Sequence, residues 1–334
     1  MPPLYASLDL GGTKIAGALA TADGAIVARA MAPTRAAEGP EAVVERMAQM
    51  IDRLAQEAGA APVAVGIGVP GLADLASGEV RFLPNLPGQW RGVQVREMLN
   101  RHTPRPVYLL NDARMAALGE LVFGHGRTCG NLAFLTLGTG IGGGFTIGGR
   151  LHLGRMGASA EFGHTTVLPD GPACGCGSRG CLETLAAGPA ITGEGVRLLL
   201  SGQTTRLYEL TGGDPGRVTP REMAQAAAEG DEAVRIVLVR AAEYLGIGIA
   251  NIVSILHPEL IVLGGSVAAI GPLLFDTVRS TIHRRVGMFP TDHIRVEASL
   301  LGDRAALLGG IALASQQGVE PISTQTNPFH LSEE

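Results

Sequence analysis

The chain reads as an α/β protein with mixed sheets, organised as two domains. Three features predict this. An apolar strand, a glycine-and-threonine turn and a second apolar strand occur twice, over residues 4–20 and again over 132–147. Strand-like runs and helical stripes share the rest of the chain. The length of 334 residues exceeds one average domain. Of these residues 48 are glycine, about twice the usual share. They show no Gly-X-Y period, which excludes collagen. An apolar fraction of 46% excludes global disorder, and with aromatics at only 4% the core must be Ala, Val, Leu and Ile.

The elements follow in order. Residues 4–10 form a strand that runs into Gly11-Gly12-Thr13, and 15–20 and 25–31 form two more, joined by the hairpin signal Asp23-Gly24. Val43, Val44, Met47, Met50, Ile51 and Leu54 make a helical stripe over 41–58, with Gly59 as its C-cap. Residues 63–69 and 107–110 are strands, the second ending on Asn111-Asp112 before a helix over 113–122. The strand over 132–137 meets the turn 138–144, and a hairpin follows through Gly148-Gly149. This repeats the chain's opening and predicts a duplicated, β-rich half. Helices are expected over 219–230, 232–256 and 304–317, and strands over 260–263 and 294–298. The helix over 232–256 is apolar on most faces from Leu245 on, so it is expected to be buried.

Net charge is −5, with 26 basic residues and no long Lys/Arg run, so nucleic acid is not an expected partner. The start Met1-Pro2-Pro3-Leu4 has no signal-peptide pattern. The most apolar stretch, 245–256, is too short to span a bilayer. The expectation is a soluble, cytoplasmic protein with no membrane partner.

Several patterns carry chemistry. Residues 138–143 fit G-x-G-x-x-G, but a hairpin and not a helix follows, which argues against a dinucleotide fold. What remains is a turn of backbone N–H groups with the Thr139 hydroxyl, able to hold phosphate oxygens. Asp9-Leu10-Gly11-Gly12-Thr13-Lys14 offers the same, with a carboxylate that could hold Mg2+ through water. One such turn alone fits a plain hairpin equally well; two, with Gly264-Gly265 at a further strand end, point to a nucleotide. Asn111-Asp112 fits either a helix N-cap or a carboxylate facing a cleft, and local sequence leaves both open. His164, Cys174, Cys176 and Cys181 form His-x9-Cys-x-Cys-x4-Cys, the donor set of a closed structural zinc site. Glu161 and Glu183 flank that loop, either as ligand-binding groups or as surface ion pairs.

In this order these segments, with Glu161-Phe162-Gly163-His164 and Ile261-Val262-Leu263-Gly264-Gly265, resemble the ROK family of repressors, open reading frames and kinases, most closely its bacterial glucokinases. The resemblance covers about residues 4 to 317. It implies an actin-like, ribonuclease-H-like fold of two α/β domains around a cleft. A smaller domain over 1–118 would be completed by a C-terminal helix over 303–318. A larger one over 119–302 would carry the zinc loop, and 319–334 would be a loose tail.

The resemblance further implies ATP-dependent phosphorylation of a hexose, usually at the 6-hydroxyl, by a homodimer or homotetramer. Asp112 matches the family's general base. Gly71, Asn85, Asn111, Glu161, His164 and Glu183 match its sugar contacts. Gly11, Gly12, Thr13, Gly138, Thr139, Gly140 and Gly265 match nucleotide-side positions, and Asp9, Lys14 and Gly264 lie beside them. Glucose is the expected sugar; N-acetylglucosamine, N-acetylmannosamine, mannose or fructose are alternatives, as is polyphosphate for ATP. One departure is visible: the family's glycine before the Glu161 position is Ala160 here, which bears on sugar fit more than on phosphoryl transfer. The family's sugar-responsive repressors carry a DNA-binding segment ahead of the first glycine motif, where only eight residues precede Asp9. An actin-like assembly or chaperone ATPase is a third reading, which the zinc loop and sugar-side carboxylates disfavour.

Overall fold

A computed structural model describes residues 2–83 and 86–319. The strands are β1 (Leu4–Leu10), β2 (Lys14–Thr21), β3 (Ile26–Pro33), β4 (Ala64–Val69), β5 (Leu72–Ala73), β6 (Val80–Phe82), β7 (Val107–Asn111), β8 (Leu132–Leu137), β9 (Ile141–Ile147), β10 (Arg150–Leu151), β11 (Leu260–Gly264) and β12 (Arg295–Ala298). The helices are α1 (Pro40–Ala58), α2 (Val95–Asn100), α3 (Asp112–Phe123), α4 (Glu183–Ala186), α5 (Gly188–Leu200), α6 (Arg206–Thr211), α7 (Pro220–Ala228), α8 (Glu232–Leu256), α9 (Pro272–Arg285) and α10 (Ala305–Ser315).

The duplication expected from the two glycine turns is present in the sheet topology. One five-stranded sheet runs β3-β2-β1-β4-β7 and the other β10-β9-β8-β11-β12. In the first, β1 pairs antiparallel with β2 and parallel with β4, and β4 is parallel to β7. In the second, β10 is antiparallel to β9, and β11 is parallel to both β8 and β12. The two orders match position for position, so the turn after β1 and the turn after β8 occupy equivalent places.

The chain divides into two compact units. The first takes the described parts of Met1–Arg127, Gly144–Ala160 and Arg304–Glu334; the second takes Thr128–Gly143 and Glu161–Asp303. In the first unit α1 starts on Pro40 and stops at Gly59, whose φ of 66° is left-handed and whose N–H closes on Ala55 and Gln56 carbonyls. Its apolar stripe buries Val43, Val44, Met47, Met50, Ile51 and Leu54 against β2 and β3. Helix α10 is apolar all round and packs on α3, β1 and β4. Such close packing needs glycine: a Cβ on Gly309 would overlap the Met115 carbonyl, and one on Gly310 would overlap the Ser7 hydroxyl.

In the second unit α8 starts on Asp231, whose carboxylate accepts from the Val234 N–H at 3.3 Å. The apolar run is longer than the 12 residues read from sequence: by length and composition α8 could cross a membrane. Its most apolar 18-residue stretch has a mean hydropathy of 1.7 but is 61% buried within the protein. Helices α4, α5, α7 and α9 cover it, as expected of a core helix. The expected tail lies outside the described residues from 320 on.

Candidate active site

In the first unit Asp9, the next-to-last residue of β1, lies opposite Gly68 of β4. A side chain at Gly68 would overlap Met115 and crowd the Asp9 carboxylate, so glycine there keeps the acid's space open. Asp9 retains some exposed surface, yet its carboxyl titrates far above the usual 3.8, at about 7. Burial is the main cause, the charge of Asp112 adds to it, and Lys14 pulls the other way. The Gly11-Gly12-Thr13-Lys14 turn that follows is held at both ends. Gly11 N–H donates to Lys14 O at 2.9 Å, Thr34 N–H to Thr13 O at 2.9 Å, and the Thr34 hydroxyl to Gly11 O at 2.6 Å. Gly12, Thr13 and Lys14 are exposed.

Of the two roles that the sequence leaves open, the helix cap falls to Asn111. Asn111 is the N-cap of α3: its Oδ1 accepts from the N–H of Ala113 at 3.1 Å and of Arg114 at 3.2 Å. Its Nδ2 donates to Gly71 O at 2.9 Å, which fixes the glycine after β4 to the end of β7. Asp112 is then the first helical residue, partly exposed, with one carboxylate oxygen accepting from Ala113 N–H at 2.8 Å. Asn85 lies outside the described residues.

In the second unit the turn after β8 is closed by Gly138 N–H donating to Gly140 O at 2.9 Å. Gly188 N–H, at the start of α5, donates to Gly138 O at 2.8 Å. Thr139 at the tip is exposed. Glu183 sits against this turn: its carboxylate accepts from Ile141 N–H at 2.9 Å and fills the space where a Cβ on Gly140 would project. This long-range bond has no signature in sequence. Gly264 and Gly265 end β11 beside the same turn; Gly265 has φ of 84°, and a Cβ there would overlap Leu137 O.

His164, Cys174, Cys176 and Cys181 come together with their four donor atoms all within 4.8 Å of one another. Cys176 Sγ lies 3.7 Å from Cys181 Sγ, and Cys174 Sγ lies 3.6 Å from His164 Nδ1. A tetrahedral zinc with Zn–S bonds of about 2.3 Å has S···S edges of roughly 3.8 Å, so the cradle has the right size. Burial and the neighbouring thiols push the Cys181 thiol up to about 12, whereas the Ser178 N–H and the neighbouring thiols pull Cys176 down. Three thiolates this close need a cation to coexist. Nδ1 faces the cluster, so Nε2 is the ring nitrogen left for another partner. Glu161 is exposed and leads the short 3-10 turn Phe162–His164, in which His164 N–H returns to Glu161 O at 3.0 Å.

Arg114 is only 2% exposed and donates from Nη2 to the carbonyl of Ser159. A basic residue in an Ala- and Leu-rich helix reads as solvent-facing, and only its neighbours on every face hint otherwise.

Asp9 carries a pH prediction for the protein without Mg2+ or nucleotide. Its folded-state pKa is raised, so between about pH 4 and 7 the folded chain keeps a proton that the unfolded chain has lost. Stability contributed by Asp9 therefore falls as pH rises through that window. Asp9→Asn should flatten this part of the thermal-midpoint profile; parallel profiles for the two proteins would contradict the assignment.

Two sheets of one topology, each with a glycine-and-threonine turn after its first strand, define the actin-like ATPase fold. The ROK family profile matches residues 5–317, and the chain belongs to the ROK family. It is 36% identical over 322 residues to a glucokinase of Thermotoga maritima, covering 95% of this chain and 99% of the relative. It is 33% identical to a xylose repressor of Caldicellulosiruptor bescii, over 92% of this chain and 76% of the repressor. Among solved structures, a ROK glucokinase from Streptomyces griseus in complex with glucose and AMPPNP superposes with a TM-score of 0.82. That pair is 33% identical, over 94% of this chain and 99% of the other.

Proposed function

We propose that the protein is an ATP-dependent hexose kinase, a glucokinase that phosphorylates the 6-hydroxyl of D-glucose with Asp112 as general base. Full-length similarity to glucokinases supports the activity. The observation that carries the base assignment is the division of labour at α3. Asn111 caps the helix, and Asp112 follows as its first residue with a partly exposed carboxylate.

Phosphoryl transfer needs an acceptor oxygen in line, donors for the phosphoryl oxygens and a base for the hydroxyl proton. Asp112 accepts the proton from the sugar's 6-hydroxyl as the oxygen attacks the γ-phosphorus of ATP, and the bond from that phosphorus to the β–γ bridging oxygen breaks to release ADP. The sugar's other hydroxyls are held by Glu161, by His164 through Nε2, and by Glu183, Asn111, Asn85 and the Gly71 segment. A site built to bond a hydroxyl rejects an analogue that lacks it. The phosphates are held by backbone N–H groups of Gly11, Gly12, Gly138, Gly140, Gly264 and Gly265, the hydroxyls of Thr13 and Thr139, and the Lys14 ammonium. Asp9 would hold Mg2+ through water, a fit supported by a buried carboxyl that lacks enough compensating charge. When bound, that ion neutralises charge on the β- and γ-phosphates. His164, Cys174, Cys176 and Cys181 would hold a structural Zn2+, which supplies rigidity and no chemistry. The working form is a cytoplasmic homodimer or homotetramer.

A coupled assay with ATP across glucose, mannose, fructose, N-acetylglucosamine and N-acetylmannosamine tests the reading. Glucose should give the highest kcat/KM; preference for an N-acetylhexosamine or fructose would move the protein to another kinase of the family. The repressor relatives supply a second reading, a sugar-responsive regulator. Glucose binding with no ATP turnover on any sugar would favour it.

A further inference from the structure

The residues around Glu161 hold a strained backbone that the reaction scheme does not use. Ala160 has φ of 64°. The left-handed region crowds the Cβ of an L residue, and glycine is its usual occupant. Ala160 is also the last residue of the first unit, and Glu161 the first of the second. Strain of this kind persists only where the surroundings fix it. Upstream they do: Ser159 N–H donates to Leu153 O at 3.1 Å, the Ser159 hydroxyl donates to His152 O, and the Arg114 guanidinium donates to Ser159 O. Downstream, the Phe162–His164 turn folds back on Glu161 O, and a Cβ on Gly163 would overlap Ile141 O.

Arg114 is two residues beyond Asp112 on α3. A guanidinium cannot shed its charge, so burying it demands good acceptors and makes those contacts stiff. Its partner carbonyl belongs to the residue directly before Ala160. One buried side chain thus ties α3 to the segment of the first unit that ends at Ala160.

We propose that Arg114 and Ala160 are positioning residues for hexose binding. Arg114 anchors Ser159 to α3, and the left-handed Ala160 backbone sets the direction in which the chain leaves for Glu161, whose carboxylate binds a sugar hydroxyl. Neither touches the reacting atoms. The proposal rests on Glu161 being a sugar contact.

The test compares Arg114→Met, Arg114→Lys, Ala160→Gly and Glu161→Gln in full-length protein, reading KM and kcat for glucose, KM for ATP, and the thermal midpoint. Arg114→Met should raise KM for glucose about tenfold or more, while kcat and KM for ATP change by less than about threefold. Arg114→Lys, which keeps a cationic donor, should recover part of that loss. Ala160→Gly should raise the thermal midpoint by relieving strain and yet raise KM for glucose by about threefold to tenfold. A purely structural role would move stability and affinity together, so this opposition is the diagnostic. If Arg114→Met does not fold, Ala160→Gly decides alone. Unchanged glucose KM in Ala160→Gly and Arg114→Met, with a raised KM in Glu161→Gln, overturns the positioning proposal and leaves the sugar-contact reading standing. Unchanged KM in Glu161→Gln overturns both.

Discussion

Asp112→Asn should lower kcat by roughly 10²–10⁴-fold or more while glucose still binds. The expectation follows from how little the substitution disturbs. The amide is isosteric, its oxygen can still accept from Ala113 N–H, and the helix cap is Asn111, which is untouched. What is lost is the ability to take a proton from the acceptor hydroxyl. Calorimetric glucose binding should therefore change little, and the loss should fall on kcat. Near wild-type turnover in this variant would refute the base assignment.

Purified protein should contain about one zinc per chain. Cys176→Ser removes the one exposed cysteine of the cluster and should cost the metal first. Without it, three remaining donors no longer close a tetrahedron, and the loop from Cys174 to Cys181 loses its brace. Because His164 shares the cluster and Glu183 lies two residues past Cys181, KM for glucose should rise by about 10–100-fold or more, with a lower thermal midpoint. Metal analysis that finds no zinc in protein purified without chelators would refute the loop reading. Retained zinc and unchanged glucose KM in Cys176→Ser would refute its structural consequence.

Much of this was legible from residue order because the signals are local. A strand that runs into a glycine-and-threonine turn needs no tertiary contact to be seen, and the chain spells such a unit twice, with Gly11-Gly12-Thr13 and with Gly138-Thr139-Gly140. The donor spacing from His164 to Cys181 likewise encloses one short loop, and the four donor atoms meet. Helices α5 and α9 and the short hairpin β5–β6 were not legible. In α5 the run Gly188-Pro189 with Gly193 and Gly195 breaks the apolar period. In α9 polar residues interrupt it, and β5 and β6 are only two and three residues long. The site was half-read for the same reason. That one of Asn111 and Asp112 would cap α3 was visible, but which one depends on backbone angles at the end of β7. The bond from Glu183 to Ile141 and the buried reach of Arg114 to Ser159 join residues more than 40 positions apart. The unusual alanine before Glu161 was visible in sequence; its left-handed backbone was not.

Transfer of the γ-phosphoryl group of ATP to the 6-hydroxyl of glucose is the activity proposed for this chain. Phosphorus NMR of a reaction with ATP, Mg2+ and glucose tests it directly. The predicted result is glucose 6-phosphate accumulating in step with ADP, with the signal abolished in Asp112→Asn. ADP and inorganic phosphate without a sugar phosphate, or no ATP consumption at all, would contradict it.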